Sequence, residues 1–366
     1  MSFAQYMDIA LYDESVGFYA TDGRAGRRGD FLTSPEVGPL FGALIARRLD
    51  EEWLALGSPD IMVVAEFGAG PGTLARSIAF AIPECGSALR YLMVERSAEQ
   101  RALHDEHLEG WVGDLDAAGV ETFVRSVGPG PQFASSPFAP YGFTGVVLAN
   151  ELLDNLAFDI VRHDGAGNFE RLDVHHVEDG LEFVVAPTEV SASLAPVLSS
   201  AAAGEWIPLQ EHAVQWIMEA VDRLDRGTVI AIDYGAVTDE IARRPDMGWL
   251  RTFVGQEQGG HPLDAPGTCD ITADVAIDQL ATARVPSLVT TQREFLQRLG
   301  IGDLVDEGRR RWTEKASAPD VEALRARSRV GEAEALLESG GLGDFVVLEW
   351  TVEMRDEAAD RSRNGR

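Results

Sequence analysis

The sequence is poor in cysteine, and its two, Cys85 and Cys269, stand far apart in no C-x-x-C pair. Neither a disulfide framework nor a structural zinc site follows, and buried, reduced thiols are the expected state. Lysine is scarcer still: Lys315 is the only one, against many arginines. A Walker-type phosphate loop needs a lysine after its glycines and is excluded. No apolar run approaches the roughly 18 residues a membrane span needs, and the opening Met1-Ser2-Phe3-Ala4-Gln5-Tyr6 lacks the basic then apolar start of a signal peptide. The expected location is the cytoplasm. H-E-x-x-H and G-x-S-x-G are both absent. His104 and His107 stand at helical spacing without a further ligand set and read as surface residues, while His175 and His176 fall on opposite faces of a strand. Neither a metal nor a serine nucleophile is expected.

What is present is acid: 60 Asp and Glu against 31 Lys and Arg, a net charge of -29 and a pI near 4.5. Such a surface opposes phosphate backbones and anionic membranes, which disfavours nucleic acid as substrate, and it suits a cationic partner. Solubility alone explains it equally well. With 366 residues, 45% of them hydrophobic, the chain can bury a sizeable core as one large domain with additions or as two modest ones.

Residues 61–78 organise the rest. Ile61-Met62-Val63-Val64-Ala65 reads as a strand buried on both faces, and it runs into Glu66-Phe67-Gly68-Ala69-Gly70-Pro71-Gly72 and then a helix. Glycine at every second position permits positive φ and lets a ligand touch the backbone, as in the first βα turn of a nucleotide-binding sheet. The dinucleotide fingerprint would need a third glycine at position 73, where Thr73 stands, so a pyrophosphate is not favoured. A glycine-rich turn without a ligand is the alternative.

Ahead of this, residues 2–20 suggest a short helix and an aromatic turn, residues 21–30 a glycine-rich basic loop, and residues 34–56 a long helix. Ser34, Pro35 and Glu36 would cap that helix; Gly29, Asp30 and Phe31 are left unexplained by capping. After it, Tyr91-Leu92-Met93-Val94 is a second strand ending in Glu95, whose two oxygens suit ribose hydroxyls. A helix over 97–108, an irregular acidic stretch over 110–131 and a third strand over 132–136 follow. Gly145-Val146-Val147-Leu148-Ala149 is the fourth strand, and it delivers Asn150-Glu151-Leu152-Leu153-Asp154-Asn155 to the carboxyl edge, where ligands sit in open α/β sheets. In a helical turn Glu151 and Asp154 would share a face; complementing a helix N-terminus is their alternative use. Residues 158–187 alternate as an antiparallel meander. An Ala/Ser linker at 191–204 leads to a helix over 210–224, and Thr228-Val229-Ile230-Ala231-Ile232 returns as a core strand ending in Asp233-Tyr234-Gly235. The glycine-rich segment 251–275 is long enough to close over a site, with Thr272 available to cap the next helix. Residues 286–300 give a strand and a helix, 305–338 surface helices, 344–350 a final edge strand and 355–366 a disordered tail.

Five motifs in order, Gly29-Asp30-Phe31-Leu32-Thr33-Ser34-Pro35-Glu36, Glu66 to Gly72, Asn150 to Asp154, Ile232-Asp233-Tyr234-Gly235 and Ala265-Pro266-Gly267-Thr268-Cys269-Asp270-Ile271-Thr272, resemble the MidA-type methyltransferases. These are class I S-adenosylmethionine-dependent enzymes, bacterial relatives of a mitochondrial complex I assembly factor that is a protein arginine methyltransferase. Ala157 departs from the proline expected after the Asn-Glu motif. The resemblance implies an α/β class I Rossmann-like sheet with an N-terminal helical extension, an inserted β-meander and helical accessory segments. A helical cap over 1–58 and a core over 59–354 are expected, the core carrying insertions at about 157–224 and 251–340. The implied cofactor is S-adenosylmethionine, with S-adenosylhomocysteine as product, on Glu66, Gly68, Ala69, Gly70, Gly72, Glu95 and Asn150. Glu151, Asp154 and Asn150 are the implied catalytic residues. Asp30, Phe31, Thr33, Ser34, Glu36, Asp233, Tyr234, Pro266, Gly267, Asp270 and Thr272 are substrate or lid candidates. The implied partner is a protein substrate, by family analogy a respiratory complex I subunit. A small-molecule methyltransferase and a cofactor-binding assembly factor are the rival readings.

Overall fold

The computed structural model describes residues 1–21, 33–108, 123–127, 142–178, 180–254 and 257–353. Its central sheet contains β1 (Met62–Phe67), β2 (Leu89–Val94), β3 (Phe123–Val127), β4 (Phe143–Asn150), β5 (Leu224–Asp233), β6 (Leu288–Thr291) and β7 (Val346–Val352). Their order is β6-β7-β5-β4-β1-β2-β3, and β7 runs antiparallel to both of its neighbours while the other pairings are parallel. Because the chain leaves β1 for β2 on one side and reaches β4 on the other, strand order reverses between β1 and β4. That reversal opens a crevice at their carboxyl ends.

Two-residue alternation decides which face each core side chain joins. Met62, Val64, Tyr91, Met93, Val146, Leu148, Ile230 and Ile232 pack under helices Pro39–Ala55, Thr73–Phe80 and Val321–Leu336. Val63, Ala65, Phe67, Leu92, Val147, Ala149, Val229 and Ala231 pack under helix Glu211–Arg223 through Trp216 and Ile217. With both faces covered, the parallel strands are apolar runs rather than alternating ones. Neighbouring strands meet too closely for a side chain at two points: a Cβ at Gly145 would lie 1.9 Å from the Val63 carbonyl oxygen, and one at Gly227 1.8 Å from that of Gly145.

A third apolar cluster sits beside the sheet. Helix Phe3–Tyr12 opens on a capping box between Ser2 and Gln5 and buries Phe3, Tyr6, Met7, Ala10 and Leu11. It docks on the expected meander, here Asp159–His163, Phe169–Val177 and Gly180–Thr188, with the Phe3 ring 5.5 Å from Phe158 and 5.7 Å from Phe183. A small antiparallel sheet of Leu250–Val254, Glu257–Gln258 and Asp270–Ala273 completes this lobe. Asn155, just past β4, donates to Asp270 Oδ1 and to the Ile271 carbonyl, which ties the lobe to the crevice.

Several local expectations change. Residues 34–56 form two helices, Ser34–Val37 and Pro39–Ala55. Pro39 lacks an N–H and disfavours helical geometry at Gly38, where a Cβ would strike the Glu332 carboxylate at 2.3 Å. Thr33 holds the N-cap position instead of Ser34, and the Ser34 hydroxyl donates to Gln292 Oε1 (3.0 Å). The strand beside β2 is Phe123–Val127, inside a stretch read as irregular; among the described residues it pairs on one side only and needs no unbroken apolar run. Residues 132–136, the basic loop from 22 onward and the tail lie outside the described residues. β7 is interior rather than an edge. Its central Glu349 is buried because the Arg48 guanidinium meets it with two bonds of 2.8 and 3.1 Å. Helices Ile301–Lys315 and Val321–Leu336 lie only partly at the surface, since Leu304, Val305, Ala333 and Leu336 enter the main core. Thr272 is a buried strand residue and caps no helix. Among the described residues no helix is long and apolar enough to cross a membrane.

Candidate active site

The crevice between β1 and β4 is floored by backbone. Gly68, Gly70 and Gly72 have φ of 69°, 53° and 86°, a region side chains penalise, which is why glycine recurs at alternate positions. An added Cβ at Gly70 would meet nothing within 4 Å, so this peptide faces open space. It is fixed from both ends. The Gly70 N–H donates to Glu95 Oε2 at 2.9 Å, and its carbonyl accepts from His104 Nε2 at 2.7 Å. Glu95 Oε1 accepts from the Ser97 N–H at 2.8 Å, which leaves lone pairs on both oxygens for ligand hydroxyls. Burial pushes the Glu95 carboxyl above its usual range. Glu66 is likewise buried, pushed up to about 8, and accepts from the Tyr91 hydroxyl at 2.8 Å.

Glu66, Gly68, Ala69, Gly70, Glu95 and Asn150 line this cleft together, joined by Thr33, Glu36 and Glu151. Gly72 does not line it: a Cβ there would lie 3.0 Å from the Met93 sulfur. Asp30 and Phe31 lie outside the described residues. His104 corrects the surface reading, being 1% exposed and in contact with the loop. The available signal was the Gln100 and His104 pair, four apart on one face of the helix that follows the acidic strand end, and both are buried.

Past β4 the site changes character. Glu151 has φ 52°, a strained value for a side-chain-bearing residue, and a 3₁₀ turn over Leu153–Asn155 replaces the expected α-helical turn. This conformation lets Glu151 line both the cleft and a second cavity of about 600 Å³, which Asp154, Tyr234, Arg251, Asp270, Thr272 and Asp274 also line. Glu151 Oε1 accepts from the Ser34 N–H and the Asn150 side-chain amide, both at 3.0 Å. Burial, with Asp154 adding to it, pushes Glu151 up to about 8. Burial also raises Asp154, to about 6, against the opposing pull of the Tyr234 hydroxyl that it accepts and of Arg251. Asp270 rises to about 7 through burial and the proximity of Asp154. Among the described residues, Asp154 Oδ1 and Asp270 Oδ2 are buried without a hydrogen-bond partner. A buried polar atom left unpaired is uncommon, and both residues line the second cavity.

Asp233 lines neither cavity; its carboxylate takes the N–H groups of Leu153, Asp154 and Tyr234 and so builds the turn. Pro266 and Gly267 line neither cavity, and Gly267 packs on the Val16 carbonyl. Arg251 had no signal of its own in the sequence, whereas Asn155 ends the polar run read after β4. The Arg251 guanidinium lies 4.4 Å from the Tyr234 ring centroid and shares Asp274 with Arg244. Among the described residues no group of His, Cys, Asp or Glu is arranged to hold a metal.

A doubly wound sheet whose reversal point carries a glycine loop and a strand-end carboxylate beside an acid cavity has the arrangement of a nucleotide-binding α/β fold. Comparison with known proteins narrows the class. Residues 44–292 match the family described as "Putative S-adenosyl-L-methionine-dependent methyltransferase". The chain is 30% identical over 318 residues to protein arginine methyltransferase NDUFAF7, mitochondrial, of Rattus norvegicus, covering 81% of this chain and 70% of that one. A Drosophila melanogaster homologue is 29% identical over 301 residues, and the match spans 74% of this chain and 64% of the fly protein. A Burkholderia thailandensis structure solved with bound S-adenosylhomocysteine superposes with a TM-score of 0.79 at 27% identity, covering 97% of this chain and 89% of that one. The chain belongs to this S-adenosyl-L-methionine-dependent methyltransferase family, as the motif resemblance implied.

Proposed function

We propose that this chain methylates an arginine guanidinium of a protein, and one observation carries the reading: Glu151 lines both the nucleoside cleft and the acid cavity. The cleft suits the cofactor because Gly70 leaves the backbone bare and Glu95 keeps free lone pairs for ribose hydroxyls. Glu66 and Asn150 complete that wall. When bound, S-adenosylmethionine supplies an electrophilic methyl group and a neutral thioether leaving group. A guanidinium, with a pKa above about 12, arrives protonated and offers several N–H donors. Asp154 Oδ1 and Asp270 Oδ2 are unpartnered acceptors for them. Entry of the cation draws the raised carboxylates into their ionised form. Glu151 then accepts from the nitrogen nearest the cleft and takes its proton as the methyl bond forms. Asp233 and Tyr234 position Asp154, and Ser34 positions Glu151.

The relatives' name, protein arginine methyltransferase, supports the same acceptor. The client class we propose is a respiratory complex I subunit, and the location is the cytoplasm, whereas the named relatives are mitochondrial. The test is incubation of purified protein with methyl-labelled cofactor and a lysate of its own organism, followed by hydrolysis of whatever is labelled. Labelled protein yielding methylarginine is the expected result. A labelled free metabolite, or label on another amino acid, overturns it.

A further inference from the structure

Pro35, Glu36 and Thr73 line the cofactor cleft on one side and a separate cavity of about 450 Å³ on the other. In a chain of net charge -29 this second cavity is basic. Arg76, Arg311, Arg325 and Arg329 line it, brought together by helices Thr73–Phe80, Ile301–Lys315 and Val321–Leu336, against Glu36 and Glu322. The lining carboxylates are two against four guanidiniums. Glu36 accepts from the Thr73 hydroxyl at 2.6 Å. Arg311 and Arg329 share one carboxylate, Glu307, at 2.6 and 3.4 Å. Arg325 lies 4.9 Å from the Phe80 ring centroid, and no ion pair of it occurs among the described residues. Converging guanidiniums repel one another and present planar donor forks that match carboxylate and phosphate oxygens. The volume suits a small molecule rather than a protein surface.

We propose that this cavity binds a small polyanion bearing phosphate or carboxylate groups and that its occupancy is felt in the cofactor cleft. Arg76 stands three residues after Thr73 on the same helix, so both share one face. A ligand held by Arg76 therefore acts on the Thr73 and Glu36 pair that closes the cleft's edge. Coupling of this kind is reciprocal: whatever factor the anion applies to cofactor affinity, the cofactor applies to the anion. This second clause rests on the cleft being the S-adenosylmethionine site.

The experiment is calorimetry on the full chain with inorganic phosphate in one arm and citrate in the other. Both run at low millimolar concentration and at constant ionic strength set with sodium chloride, so that general salt effects cancel. Wild type is compared with Arg325→Glu, whose melting in chloride alone checks that it folds; Arg325→Gln replaces it if it does not. We expect saturable binding to wild type, at least about tenfold weaker in the variant, and a change of about threefold or more in S-adenosylhomocysteine affinity at saturating anion. The tighter arm tells phosphate from carboxylate chemistry. Absence of saturable binding by either anion, in protein that still binds S-adenosylhomocysteine, overturns the site. Anion binding that leaves that affinity unchanged overturns the coupling, and anion binding in protein that never binds S-adenosylhomocysteine counts against the cleft reading instead.

Discussion

The two halves of the active site are made differently. The cleft is floored by the backbone of one local stretch, with Gly68 and Gly70 carrying positive φ and Glu95 answering the Gly70 N–H, and walled by side chains from the N-terminal segment and the end of β4. The acid cavity is built from side chains gathered across the chain: Glu151, Asp154, Tyr234, Arg251 and Asp270. The first half also buries carboxyls, Glu66 and Glu95, whose proton affinity rises with burial, but hydrogen bonds from Tyr91, Gly70 and Ser97 hold them. The second keeps several carboxylates buried with raised proton affinity, a standing cost at neutral pH that a bound cation would offset.

Substitutions should therefore separate the halves, and Glu151→Gln most sharply. Turnover is expected to fall by about a thousandfold, the range of a lost general base, while S-adenosylhomocysteine affinity by calorimetry stays within about threefold. Equal loss of both would assign Glu151 to cofactor binding instead. Gly70→Val attacks the other half: a branched side chain at φ 53° strains the loop, and cofactor affinity should drop by about thirty- to a hundredfold. Smaller is Tyr234→Phe, which removes the hydroxyl that stabilises ionised Asp154. The acid limb of the rate profile should move to higher pH, with a loss of about tenfold near neutrality and unchanged cofactor affinity. His104→Phe removes one bond to Gly70, so the cofactor KM should rise about fivefold with kcat unchanged, and His104→Gln, which keeps a donor, should restore part of it.

The smallest effect is on stability, and its sign follows from burial. Glu151 binds its proton more tightly folded than unfolded, so its contribution is most favourable below the unfolded carboxyl value and is lost as pH rises through about 8. Glu151→Gln removes that loss. Melting curves should show the variant more stable than wild type by about 1 to 3 kcal/mol at pH 8, with the two nearly equal at pH 4.5.

The same contrast governs what could be read beforehand. Strands β1, β2 and β4 announce themselves as apolar runs that end in Glu66 to Gly72, Glu95 and Asn150 to Asp154, because both sheet faces bury them. The meander at 158–187 shows its two-residue period for the opposite reason, with one side left to solvent. Strand β3 carries too little apolar pattern to stand out. His104 shares a helix face with Gln100 and Asn155 closes the polar run after β4, but only tertiary contact brings them to Gly70 and Asp270. Arg251 is silent in sequence, since its meaning lies in Tyr234 and Asp274. Glu151 was legible in identity but not in conformation: its positive φ, rather than a helical face shared with Asp154, gives it access to both cavities.

The most direct measurement is a crystal structure of the protein grown with S-adenosylhomocysteine and methylguanidine. The nucleoside should lie along Gly70 with its ribose on Glu95, and the guanidinium should bridge Glu151 and Asp154 with one nitrogen about 3 to 3.5 Å from where the transferred methyl would sit. A nucleoside in the cleft with the guanidinium bound elsewhere, or no nucleoside between β1 and β4 at all, would contradict it.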